Sequence, residues 1–152
     1  MKAIIAGGIM AVGAAMAVGG GMDLGSLGST PFNYQNASRE DRTAFLQKES
    51  GTIGKMLRVA LVNPSGVGGS MRLADTKVDP NRREIKFIIK VQGRLQPGAI
   101  TNVRQAMLKK VCPRFVESKL GRNDVRMVQS FQNSKGSLGS ITISKSACSR
   151  YV

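Results

Sequence analysis

The chain has 152 residues, with 23 Lys and Arg against 9 Asp and Glu, a net charge of +14, two Cys and no His or Trp. Lacking His, it has no Ser-His or Cys-His nucleophile pair and no histidine base near neutral pH, and two widely separated thiols lack the clustered ligands of a zinc site. The positive excess draws anionic partners: nucleic acid, acidic polymers, lipid headgroups or acidic protein surfaces.

The first 22 residues, MKAIIAGGIMAVGAAMAVGGGM, form one apolar and small-residue run behind a single Lys. Lys2 serves as the positive n-region of a secretory signal, Ala3 to Val12 as its apolar h-region, and Ala15-Met16-Ala17 as the cleavage site. Residues 1–17 are therefore expected to be a signal peptide cut after Ala17, with Ala15 as the second choice. The competing reading is an uncleaved membrane anchor over residues 3–22, since a bilayer core takes about 20 apolar residues. Ala3, Gly7, Ala11, Ala15 and Gly19 would then line one helix stripe, the spacing at which membrane helices approach closely. Either way the product is exported: periplasmic or secreted, or, in the alternative, anchored in the inner membrane.

Residues 18–38 are rich in Gly, Ser and Asn without periodicity and are read as a flexible linker. Phe32 and Tyr34 are the side chains in it able to dock on the domain or on a partner. The remainder, 39–152, is enough for one domain with a single core.

Ser38-Arg-Glu-Asp41 starts a helix, with Ser38 as cap and two acids in the first turn, running to about Leu61. Phe45, Ile53, Met56, Leu57 and Ala60 mark its buried side, and Gly51 and Gly54 weaken it. Asn63-Pro64 and the glycines that follow stop it. Met71 to Val91 reads as a hairpin turning at Asp79-Pro80-Asn81-Arg82, with Ile85, Phe87, Ile89 and Val91 on one face and Glu84, Lys86, Ile88 and Lys90 on the other. Ile88 points to partial cover of that second face.

Pro97-Gly98 opens a second helix whose Ile100, Val103, Met107 and Val111 recur at helical spacing, and Cys112-Pro113 is expected to close it. A short helix or turn follows, ending near Gly121. Val125, Met127 and Phe131, the turn Asn133 to Gly136, then Ile141 and Ile143, give a second hairpin. The order helix, hairpin, helix, hairpin predicts an α+β two-layer sandwich: a four-stranded, mainly antiparallel sheet with two helices on one face.

In an exported chain Cys112 and Cys148 are expected to form a disulfide joining helix to strand end. The signal peptide, the helix-end Cys112, the strand-end Cys148 and the Gly-containing turn between the last strands make Thr43 to Cys148 resemble a group of small exported bacterial proteins of unassigned function. That resemblance implies an architecture and no activity.

Catalytic patterns are missing. The phosphate-cradling G-x-x-x-x-G-K-[ST] fails because Gly54-Lys55 is followed by Met56, and Asp75, Asp79 and Glu84 lie among Arg82, Arg83 and Lys86 as hairpin surface charges do. The expectation is a non-catalytic, exported, disulfide-stabilised accessory or binding protein of the bacterial envelope, using no cofactor or metal, whose partner is an envelope protein or anionic polymer. The alternative is a binder of nucleic acid or anionic membrane. Its contacts in either case are expected among Lys86, Lys90, Arg104, Lys109, Lys110, Arg114, Arg122 and Arg126.

Overall fold

A computed structural model describes residues 31–62, 70–93 and 98–152. The signal or anchor segment and the break after Val62 lie outside the described residues. Helix α1 spans Arg39–Val62. Ser38 Oγ accepts the Asp41 N–H at 3.1 Å, and Glu40 and Asp41 sit in the first turn, where the helix dipole favours acids. The helix passes unbroken through Gly51 and Gly54, because Leu46, Ile53, Leu57 and Leu61 bury its inner side and packing outweighs the local preference of glycine.

Strands β1 (Ser70–Asp79) and β2 (Glu84–Gln92) pair antiparallel, and a bulge at Ala74 shifts their register. Helix α2 (Ala99–Phe115) follows Gly98, whose φ of 76° places it in the left-handed region open to glycine. Ile100, Val103, Met107, Leu108, Val111, Cys112 and Phe115 form its buried side. Pro113 does not close this helix as expected but lies inside it. Proline there forfeits the bond its N–H would have made to the carbonyl one turn back, and the burial of Phe115 together with the bond at Cys112 outweighs that loss and holds the chain helical.

Ser118 ends that turn by donating its hydroxyl to Phe115 O at 2.6 Å and starts the short helix α3 (Lys119–Arg122) by accepting from Gly121 N–H at 3.2 Å. A Cβ on Gly121 would lie 2.2 Å from Phe115 O, so only glycine fits there. Strands β3 (Arg126–Asn133) and β4 (Gly136–Ile143) pair antiparallel, and a 3₁₀ turn at Ala147–Arg150 carries Cys148.

The class is α+β, as expected, and the sheet is mixed: its order is β1-β2-β3-β4, and the central pair, β2 and β3, is parallel. The sequence pattern anticipated a mainly antiparallel sheet. The outer pairs follow it, but α2 returns the chain along the sheet, so β3 starts at the same end as β2, which is what a helical crossover between parallel strands requires.

Ile85, Met127 and Ile143 lie side by side across the sheet, as do Phe87, Gln129 and Ile141. The apolar residues of these rows and the apolar sides of α1 and α2 belong to one buried cluster. Each large apolar side chain fully buried there contributes about 1.5–3 kcal/mol. Gln129 is the polar intrusion: it is fully buried, and neither its amide nitrogen nor its oxygen has a hydrogen-bond partner among the described residues.

The packed chain reaches back into the segment read as a linker. Tyr34 is 1% exposed, and Phe32 stacks on Phe45 of α1 with ring centroids 4.2 Å apart.

Candidate anion-binding cleft at one end of the sheet

Because β2 and β3 run parallel, the turn leading into β2, the loop leading into β3 and the exit of β4 meet at one end of the sheet. Between them is an open cleft of about 430 Å³ lined by Asn81, Arg82, Arg83, Asp124, Arg126, Ser144 and Ser146. Its walls are tied together by the Arg126 N–H, which donates to Arg83 O at 2.8 Å.

Each wall is set by local chemistry. Asp79 Oδ1 accepts the N–H groups of Asn81 and Arg82 at 3.0 and 3.2 Å, which fixes the turn. Arg83 adopts a φ of 49°, rare for a residue with a side chain, and its guanidinium donates to Asn123 O at 3.1 Å while lying 4.8 Å from the centroid of the Tyr34 ring. Arg126 Nε stands 2.8 Å from Glu84 Oε2, a charge contact whose N–H is not directed along a hydrogen bond. The Arg82 side chain is exposed and has no partner among the described residues. Ser144 opens the final turn: its carbonyl accepts the Cys148 N–H at 2.9 Å and its hydroxyl oxygen accepts the Ala147 N–H at 3.0 Å.

The Cys112–Cys148 disulfide is formed, with Cα atoms 5.2 Å apart, so it links α2 to the turn behind Ser144 and Ser146. Tyr34 supports the opposite wall. Its hydroxyl donates to Pro80 O, its N–H donates to Asn123 Oδ1 at 2.9 Å, and Arg42 lies 4.9 Å from its ring centroid. Burial pushes the phenol pKa up, against the opposing pull of Arg42 and Arg83 and with a smaller push from Asp79.

The eight cations anticipated from the sequence are not gathered into one patch. Arg126 lines the cleft. Lys86 and Lys90 alternate with the buried residues of β2 and so sit on its other face, where Lys90 Nζ donates to Gln132 Oε1 at 3.1 Å. Arg104 is spent on architecture, donating to Ser140 O of β4 at 2.8 Å. Lys109, Lys110 and Arg114 are exposed on α2, away from its buried side. Arg122 lines a second cleft of about 420 Å³ with Lys119, Asn123 and the docked Pro31, Phe32 and Asn33.

Asn81, Arg82, Arg83, Ser144 and Ser146 were missed as site residues, since in sequence they read as turn and surface positions. The adjacent arginines in the turn were the one local signal. Their convergence with the other walls depends on the parallel pair.

Among the described residues no cluster of acids, Cys or His could hold a metal ion, and no helix is long and apolar enough to cross a membrane. No family model, curated protein or solved structure matches this chain.

Proposed function

We propose that this protein is an exported, disulfide-stabilised, non-catalytic binding protein of the bacterial envelope, which holds an anionic envelope polymer or an acidic protein surface against the basic end of its sheet. The observation that carries this reading is the convergence of Arg82, Arg83 and Arg126 with Ser144 and Ser146 in the lining of one open cleft. Guanidinium groups from separate segments present forked donors, the geometry that recognises oxyanions. The reading takes both helices to lie on the apolar face of the sheet, in keeping with the single buried cluster they share with it.

Export is supported by the secretory pattern of residues 1–17 and by the pairing of Cys112 with Cys148, a bond that persists in oxidising compartments. Base stacking contributes little to the reading, because all seven Phe and Tyr residues are buried or half-buried. Charge and hydrogen bonding are what the surface offers.

Intact-mass measurement and N-terminal sequencing of the native product, after separation of membrane, soluble and exported pools, test the reading. The expected product begins after Ala17, carries one disulfide and sediments with envelope material at low salt. A full-length, reduced product in the cytosolic pool would overturn it.

A further inference from the structure

We infer that the cleft at this end of the sheet is a site for a single phosphodiester group, an inference that rests on reading this end as anion-binding. The charge balance selects the ligand. Arg82, Arg83 and Arg126 bring three positive charges, while Asp124 in the lining and Glu84 against Arg126 bring two negative ones. The net charge of one matches the single charge of a diester, and the two acids oppose a more highly charged monoester.

The donor set selects the same group. A carboxylate presents two oxygens in a plane, which one guanidinium fork satisfies. This cleft is lined by Arg82, Arg126, Ser144 and Ser146 from three separate chain segments, donors placed to reach the two non-bridging oxygens of a diester from different sides, while Arg83 is held by Asn123 O and the Tyr34 ring and contributes chiefly its charge. Because the Ser144 oxygen already accepts from Ala147, its O–H remains to donate into the cleft.

The site is also held ready. Arg83 is fixed by Asn123 O and the Tyr34 ring, Arg126 is fixed beside Glu84, and the disulfide holds the turn bearing the serines. Binding then restricts chiefly Arg82, which lowers the entropy lost on association. The cleft, at about 430 Å³, has room for one headgroup-sized unit.

The test is an NMR titration of the native product at constant ionic strength. Dimethyl phosphate is the soluble probe, acetate is the control anion, and the proteins are wild type, Arg82→Gln and the charge-matched Lys109→Gln. Dimethyl phosphate should saturably shift the amides of Asn81 to Arg83, Asp124 to Arg126 and Ser144 to Ser146. Affinity should fall about tenfold in Arg82→Gln and stay within about twofold in Lys109→Gln. Vesicles containing phosphatidylglycerol that compete for the same amides identify a lipid headgroup as the source, whereas binding of the soluble probe alone identifies a free or polymeric diester.

Equal binding of acetate, or affinity that tracks the probe's total charge and falls equally in both variants, overturns the inference. Envelope binding that persists without any diester binding removes this inference alone. Diester binding without envelope binding removes the broader reading and leaves the site.

Discussion

The hydroxyl of Tyr34 donates to the carbonyl oxygen of Pro80, joining the segment ahead of α1 to the turn between β1 and β2. The turn so held carries Arg82 and Arg83, so a residue outside the sheet braces the cleft. Tyr34→Phe removes this one hydrogen bond and should cost about 1 kcal/mol. Tyr34→Ala also empties a buried ring site and should cost about 3 kcal/mol or more. Urea unfolding of the two variants checks both; equal midpoints for wild type and Tyr34→Ala would mean that this segment does not stay docked.

The same phenol gives the fold a dependence on alkaline pH. Its pKa is raised in the folded state, so below the ordinary tyrosine value of about 10 the phenol is protonated in both folded and unfolded chains and its contribution is complete. As pH rises past that value the unfolded chain ionises first and binds fewer protons, so stability falls until the folded phenol ionises too. Urea midpoints on either side of about pH 10 should drop more steeply for wild type than for Tyr34→Phe. Parallel slopes would contradict this.

The bond between Cys112 and Cys148 spans 36 residues, for which the chain-entropy estimate gives about 4 kcal/mol. Replacing both with Ser should lower the midpoint accordingly and loosen the turn carrying Ser144 and Ser146. A reductant added to wild type should reproduce the loss and leave the double variant unchanged.

Gln129 stands between Phe87 and Ile141 with its amide buried and, among the described residues, unpaired. An unsatisfied polar group of this kind costs about 1–3 kcal/mol, and Met matches the side chain in shape. Gln129→Met should therefore raise the unfolding midpoint. A fall would show that the amide serves the fold.

Much of the fold was legible in the residues. Ser38 marked the start of α1, and the alternation of Ile85, Phe87, Ile89 and Val91 marked β2 and its buried face, because caps and pleats are local. Pro113 misled because the burial of Phe115 outweighs the local cost of proline, and the segment around Tyr34 read as a linker from its polar composition, although Phe32 and Tyr34 were legible in it as the side chains able to dock. The cleft was least legible. Arg82, Arg126 and Ser146 lie far apart in sequence and meet through the parallel pairing of β2 and β3, which no local pattern encodes.

That relation yields the most direct test of the whole account. Isolated envelope fraction is titrated with the native wild-type product, with the cleft variant Arg82→Gln/Ser146→Ala and with Lys109→Gln, which loses the same charge on the outer side of α2. Binding should weaken about tenfold or more in the cleft variant and hold in Lys109→Gln. Equal loss in both would contradict the cleft as the binding site and leave only the general field of a basic protein.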